Sequence, residues 1–207
     1  MTEPALTLDT VDALAWDKQH GLLPAIVQDA ATLRVLMLGY MDREALRLTL
    51  ITRKATFFSR SRGRLWMKGE SSGNVLDVVA VAADCDRDTL LVLAQPRGPT
   101  CHLGTSSCFS PHAPSSMTGE LNEIIAARDR ERPVDSYTTK LFESGLARIA
   151  QKVGEEGVEV ALAAVTADDA ALLGEGADLV YHLAVLLRAR GLSLRDVERV
   201  LDERHRG

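Results

Sequence analysis

Ser110-Pro111-His112-Ala113-Pro114-Ser115-Ser116-Met117-Thr118-Gly119 separates two stretches of different texture. Proline lacks the backbone donor that helices and sheets need, and serine and glycine favour turns, so the segment reads as a linker. Upstream, the apolar runs are short and rich in branched or aromatic residues: Leu23–Val27, Leu33–Leu38, Ala55–Ser59, Val75–Val81 and Thr89–Ala94. That pattern predicts strands. A helix is expected near Asp42–Thr52, with Asp42 as its N-cap. Downstream the period becomes helical, over Glu120–Arg130, Lys140–Val165, Ala170–Arg190 and Ser193–Arg206, with Gly191 a stop and Ser193 a restart. The expectation is a small, β-rich α+β domain over residues 1–110, a linker at 111–118 and an all-α domain over 119–207.

Composition narrows the class. Hydrophobic content of 46% and charged content of 26% are ordinary for a globular chain. A net charge of −5 makes nucleic acid a poor partner. No unbroken run of about 18 apolar residues occurs, so no membrane span is expected. The first basic residue is Lys18, behind several acids, which does not read as a secretory signal. Three cysteines cannot all pair within one chain, which argues against a disulfide scaffold and for a cytoplasmic protein.

Those cysteines are Cys85, Cys101 and Cys108, the first inside Asp84-Cys85-Asp86-Arg87-Asp88. Thiolates favour zinc, and carboxylates favour magnesium, calcium or manganese. Three thiolates leave one position of a tetrahedral zinc for water, as catalysis requires, and no C-x2-C pair of the structural kind is present. On a strand, alternation would put Asp84, Asp86 and Asp88 on one side and Cys85 on the other, which suggests two metals. His102 is a candidate fourth ligand or general base. The competing reading is an Asp-rich turn beside ordinary buried thiols. A zinc nucleobase deaminase would need H-x-E and P-C-x-x-C, and both are absent.

The order Ser59-Arg60-Ser61-Arg62-Gly63-Arg64-Leu65-Trp66, Lys68-Gly69-Glu70-Ser71-Ser72-Gly73-Asn74, Asp84–Asp88, Cys101-His102-Leu103-Gly104 and Ser107-Cys108-Phe109 resembles phosphoribosyl-AMP cyclohydrolase over roughly residues 20–110. The chain departs from that pattern at Asn74, where many members carry His. The resemblance implies zinc on Cys85, Cys101 and Cys108, contributed across a dimer, and magnesium on Asp84, Asp86 and Asp88. It implies hydrolytic opening of an adenine ring at N1–C6, with His102 as candidate for proton transfer. Arg60, Arg62, Arg64, Lys68, Ser71, Ser72 and Gly73 are candidates to hold the substrate phosphate through guanidinium forks and backbone N–H groups. For the arginines, a solvated strand end is the alternative.

In the second half, Glu155, Glu156 and Glu159 sit at helical i,i+3 and i,i+4 spacing, and Glu175 and Asp178 repeat the i,i+3 relation, with His182 one turn on. Apolar residues around Val158–Val165 and Leu179–Leu187 cover nearly the whole circumference of these helices, which predicts burial. Carboxylates at the entry to buried helices need cations; an exposed acidic face is the bland alternative. The Glu-Glu-x-x-Glu and Glu-x-x-Asp pattern resembles all-α nucleoside triphosphate pyrophosphohydrolases. Ser136–Leu141, Lys152–Glu156 and Ala177–His182 resemble phosphoribosyl-ATP pyrophosphohydrolase more closely, over about residues 118–205. That implies magnesium on Glu155, Glu156, Glu159, Glu175 and Asp178, catalysis by Glu156 and Glu159, and phosphate contacts from Lys140 and Lys152.

Together the halves resemble the bifunctional family of histidine biosynthesis, in which pyrophosphate is released from phosphoribosyl-ATP and the resulting phosphoribosyl-AMP is ring-opened. The implied cofactors are Zn²⁺ and Mg²⁺, the partners nucleotide substrates and a second copy of the chain. Two other readings compete: a housekeeping nucleotide pyrophosphatase fused to an unrelated zinc hydrolase, and a zinc-stapled binding module on a helical dimerisation domain.

Overall fold

The computed structural model describes residues 5–206. The chain divides into two compact units, with the boundary between Ser116 and Met117.

The first unit is built on strands β1 (Leu23–Asp29), β2 (Val35–Met41), β3 (Thr56–Ser59), β4 (Arg64–Met67), β5 (Leu76–Ala83) and β6 (Leu90–Pro96), with helix α1 (Arg43–Thr52) after β2. Four strands form one sheet in the order β2-β1-β6-β5, and β3 and β4 form a separate antiparallel pair. β1 runs antiparallel to β2 and parallel to β6, in register Ala25↔Leu90 to Asp29↔Ala94. Alternation decides which side faces the core. Leu23, Ala25 and Val27 of β1, and Leu90, Val92 and Ala94 of β6, are fully buried, and their intervening neighbours are not. Each large apolar side chain removed from water contributes about 1.5–3 kcal/mol.

Two 3₁₀ turns before β1 add Val11 and Trp16 to this core, and the Trp16 indole N–H donates to Val11 O at 2.8 Å. Helix α1 starts as expected, with the Asp42 carboxylate accepting from Ala45 N at 2.7 Å. It is tied to β3 by Thr49, whose buried hydroxyl accepts from Thr56 N and donates to Thr56 O.

The stretch 107–116 is held to the first unit. Cys108 N donates to Leu36 O at 2.8 Å, the Ser107 hydroxyl to Val35 O at 2.7 Å, and Ser116 N to Thr32 O at 2.6 Å. Its proline and serine content marks irregular backbone, yet those backbone and hydroxyl groups find partners on β2 and the turn that precedes it. Thr118 and the residue before it, expected in the linker, already belong to helix α2 (Met117–Glu131).

The second unit is all-helical: α2, α3 (Tyr137–Glu143), α4 (Leu146–Thr166), α5 (Asp169–Ala189) and α6 (Leu194–Arg206). The single helix expected over Lys140–Val165 is two, because Gly145 takes φ +83°, a left-handed conformation that a helix cannot continue through. α4 and α5 are joined through Ala167 and Asp168, whose carboxylate caps α5 by accepting from Ala171 N at 2.9 Å. Ile125, Leu141, Ile149, Ala184, Val185 and Leu194 form the core.

The expected burial of α4 and α5 all round is not observed. Val158, Leu162, Val165 and Leu173 are 56–79% exposed, because no other described element of the second unit covers that flank. By length and composition α5 would pass for a membrane span, with a mean hydropathy of 1.4 over 18 residues. However, it carries Glu175, Asp178 and His182 and pairs with α4.

Gly39 of β2 faces the buried Phe57 ring so closely that an added Cβ would lie 2.7 Å from Cε1. Gly39→Ala is expected to destabilise the first unit by about 1–3 kcal/mol, as overpacking does. Phe57→Leu should recover part of that loss. Both tryptophans, Trp16 and Trp66, lie in this unit, so denaturant unfolding followed by their fluorescence measures it.

Candidate active sites

In the first unit a cleft of about 760 Å³ gathers Arg62, Lys68, Ser71 and Ser72 with Cys101, His102 and Cys108. That size suits a nucleotide-sized ligand. Gly69 explains how the Lys68–Asn74 loop closes: it takes φ +87° and lies against the Asn74–Val75 backbone, where a Cβ could not fit. Lys68 Nζ donates to Asn74 O at 3.3 Å and is held at the wall of the cleft.

Three of the predicted phosphate contacts lie outside it. Arg60 stacks over the Tyr40 ring at 3.8 Å, Arg64 is exposed on β4, and Gly73 forms the turn behind Ser72. Sequence reasoning missed the apolar wall made by Met37 and Trp66: Met37 carries no motif, and Trp66 closes the arginine-rich stretch without any sign that it faces a cleft.

Cys101 and Cys108 come together as a pair, and they are not equivalent. Hydrogen bonds from the Leu103 backbone and the Thr105 side chain lower the pKa of Cys101. Burial, followed by the charge of Cys101, raises that of Cys108. The His102 ring sits 3.9 Å from Cys101 Sγ. Thr100 Oγ1, buried in the same wall, has no hydrogen-bond partner. Cys85 is not with this pair. It is exposed, in the turn between β5 and β6, and does not line the cleft.

That turn corrects the alternation argument. Residues 84–89 are not in a strand, yet oxygens of Asp84, Asp86 and Asp88 lie within 4.8 Å of one another. The turn itself gathers them. Asp84 Oδ1 accepts from Asp88 N at 3.0 Å and Thr89 N at 3.1 Å, which closes the loop and brings the three carboxylates to one point. Lys18 pairs with Asp86 at 2.7 Å and Asp88 at 3.6 Å, and its hydrogen bond holds the Asp86 pKa below the usual carboxylate value.

The second unit holds the other cluster. Glu156, Glu175 and Asp178 bring carboxylate oxygens within 4.8 Å of one another, from facing positions on α4 and α5. Glu156 is only 4% exposed. Lys152 Nζ lies 2.5 Å from Glu156 and 3.0 Å from Glu155, and its hydrogen bonds depress both carboxylate pKa values while raising its own.

Glu159 stands beside the cluster, exposed, with its pKa raised chiefly by the charge of Glu156. Glu155 points elsewhere, to Arg148 at 3.1 Å and Gln151 at 2.8 Å, so it is not among the three that converge. Lys140 is exposed on α3. Lys152, expected on phosphate, spends its charge on the two glutamates.

Residues 37–110 match the phosphoribosyl-AMP cyclohydrolase family, and residues 118–205 match the phosphoribosyl-ATP pyrophosphohydrolase family. The chain is 66% identical over 198 residues to the histidine biosynthesis bifunctional protein HisIE of Xanthomonas campestris, covering 96% of each. The chain belongs to this bifunctional family. The HisIE protein of Xylella fastidiosa is 64% identical over 99% of this chain and 98% of its own length, and that of Escherichia coli 56% identical over 93% and 95%. The strand-rich unit is therefore a cyclohydrolase and the helical unit a pyrophosphohydrolase, in a multifunctional hydrolase of histidine biosynthesis with nucleotide substrates.

Lys152 sets an acid limit on the pyrophosphohydrolase unit. The folded pKa of Glu156 lies below its unfolded value, so the pair stabilises above the ordinary carboxylate range and loses its contribution as pH falls through the depressed value. The raised Lys152 pKa keeps the pair intact up to the ordinary lysine range. Lys152→Met is expected to cost about 1–3 kcal/mol between roughly pH 5 and 10. Unfolding followed by ellipticity at 222 nm should show that difference shrinking as the solution is acidified further.

Proposed function

We propose that the helical unit cleaves phosphoribosyl-ATP to phosphoribosyl-AMP and pyrophosphate with magnesium, and that the strand-rich unit then opens the adenine ring at N1–C6 with zinc, in a cytoplasmic homodimer. The observation that carries this reading is the union, in one cleft, of an unlike thiol pair with Arg62, Lys68 and paired serines.

The donor set fits zinc. Cys101 and Cys108 would hold it, with Cys85 arriving from a second copy, since within one chain that thiol lies on a separate turn. Bound zinc lowers the pKa of a water molecule towards neutrality. Arg62 and Lys68 fix the phosphate so that C6 of the base faces the thiol end of the cleft. Hydrolysis adds water at C6 and breaks the N1–C6 bond, and the exposed His102 ring takes up and returns the proton. Asp84, Asp86 and Asp88 suit a magnesium ion as three hard oxygen donors.

In the helical unit Glu156, Glu175 and Asp178 would hold magnesium, which offsets the charge of the triphosphate. Glu159 is suited to accept the proton of the attacking water, because the neighbouring Glu156 raises its proton affinity.

Two further observations support a dimer. The α4–α5 flank exposes large apolar side chains. On the same helices Gly154, Gly157, Gly174 and Gly176 meet no atom within 4 Å, although glycine inside a helix costs about 1 kcal/mol. A reducing compartment keeps the three free thiols available.

Incubating the purified protein with phosphoribosyl-ATP, zinc and magnesium tests the scheme. Pyrophosphate and the ring-opened product are expected together. Cys101→Ser should stop ring opening, by a hundredfold or more, and spare pyrophosphate release, while Glu156→Gln should do the reverse on separately supplied substrates. Absence of pyrophosphate would overturn the helical assignment, and accumulation of phosphoribosyl-AMP the other.

A further inference from the structure

His182 is a buried imidazole outside the carboxylate cluster, yet it lies against two of the cluster's residues. It is 4% exposed, and both ring nitrogens are engaged. Nδ1 is 2.9 Å from Asp178 O. A carbonyl only accepts, so Nδ1 carries a proton and donates it there. The same Nδ1 is 3.6 Å from Glu156 Oε1. On the other side of the ring, Nε2 shares a 3.1 Å hydrogen bond with the Tyr137 hydroxyl.

The ring plane is fixed as well. Tyr137 meets it edge-on at 6.0 Å and 90°, and Tyr181 at 5.1 Å and 79°. Tyr181 is itself anchored by a 2.8 Å hydrogen bond between its hydroxyl and Thr138 Oγ1. One side chain thus hydrogen-bonds to α3 through Tyr137 and to α5 through the carbonyl of Asp178, and sits 3.6 Å from the Glu156 carboxylate of α4. Two of those three residues belong to the cluster.

We infer that His182, held by Tyr137, is a positioning residue: it sets the separation of Glu156 and Asp178 and so the fit of the cluster to a divalent cation. A core-filling role would be met by any ring of this size. The two opposed hydrogen bonds would not be needed for it, and they constrain orientation rather than volume. Partners that orient metal ligands typically account for 10–100-fold in metal affinity. The inference rests on the reading that Glu156, Glu175 and Asp178 bind a divalent metal.

Mn²⁺ titration of the full-length protein, followed by electron paramagnetic resonance of the free ion, tests both layers. Glu156→Gln should abolish one class of sites; if it leaves Mn²⁺ binding unchanged, the metal reading falls and this inference with it. Given that loss, His182→Leu should weaken the same class 10–100-fold, and Tyr137→Phe by about 3–10-fold. His182→Asn, whose amide N–H can replace Nδ1–H, should recover most of the affinity. Tyr137 is half exposed, so its phenylalanine variant keeps the test open if His182→Leu folds poorly. Helicity and ring opening of supplied phosphoribosyl-AMP should stay at wild-type levels in Tyr137→Phe. Wild-type Mn²⁺ affinity in Tyr137→Phe and His182→Leu, or no recovery in His182→Asn, would overturn the inference.

Discussion

Concentrated negative charge is the constraint around which both units are arranged. Carboxylates within 4.8 Å of one another repel, and a buried one such as Glu156 also loses its hydration. In each unit a lysine meets the problem. Lys18 reaches Asp86 and Asp88 from the turns before β1, and Lys152 reaches Glu155 and Glu156 from one turn earlier on α4. The two solutions differ in strength. The Lys18 pair is about half exposed on both sides, where ion pairs contribute little. Lys152 and Glu156 are shielded within α4, so breaking that pair would leave a buried charge unmatched.

Much of this was legible in the residues, and the failures have specific causes. Asp42 as a helix start, Gly191 as a stop and the passage from strands to helices rest on local chemistry, and they stand in the structure. The break at Gly145 was missed because apolar positions continue in phase across it; a single left-handed residue ends a helix without disturbing the pattern around it. Strand β4 was missed because Arg64–Met67 is too short and too flanked by charge to stand out, and it exists by pairing with β3.

At the sites, residue identity was easier to read than geometry. Asp84, Asp86 and Asp88 do converge, but by a hydrogen-bonded turn rather than by strand alternation. Glu155 shares the spacing of its neighbours, yet Arg148 and Gln151 draw it aside. Such competition depends on which residues a fold brings near, and spacing alone does not carry it. The exposed apolar flank of α4 and α5 failed for a related reason: periodicity reports how much surface wants covering, not whether the same chain covers it.

The separation of Cys85 from Cys101 and Cys108 has a thermodynamic consequence. On the reading that zinc binds all three thiols, a lone chain would offer it two in one place and the third on a separate turn, and would compete poorly for the ion. On the reading that a second copy supplies the third thiol, metal loading and assembly are linked equilibria: each draws the other forward, and proton release from the thiols couples both to pH. Zinc supply would then govern how much of the protein is assembled, and dilution would release metal as well as subunits.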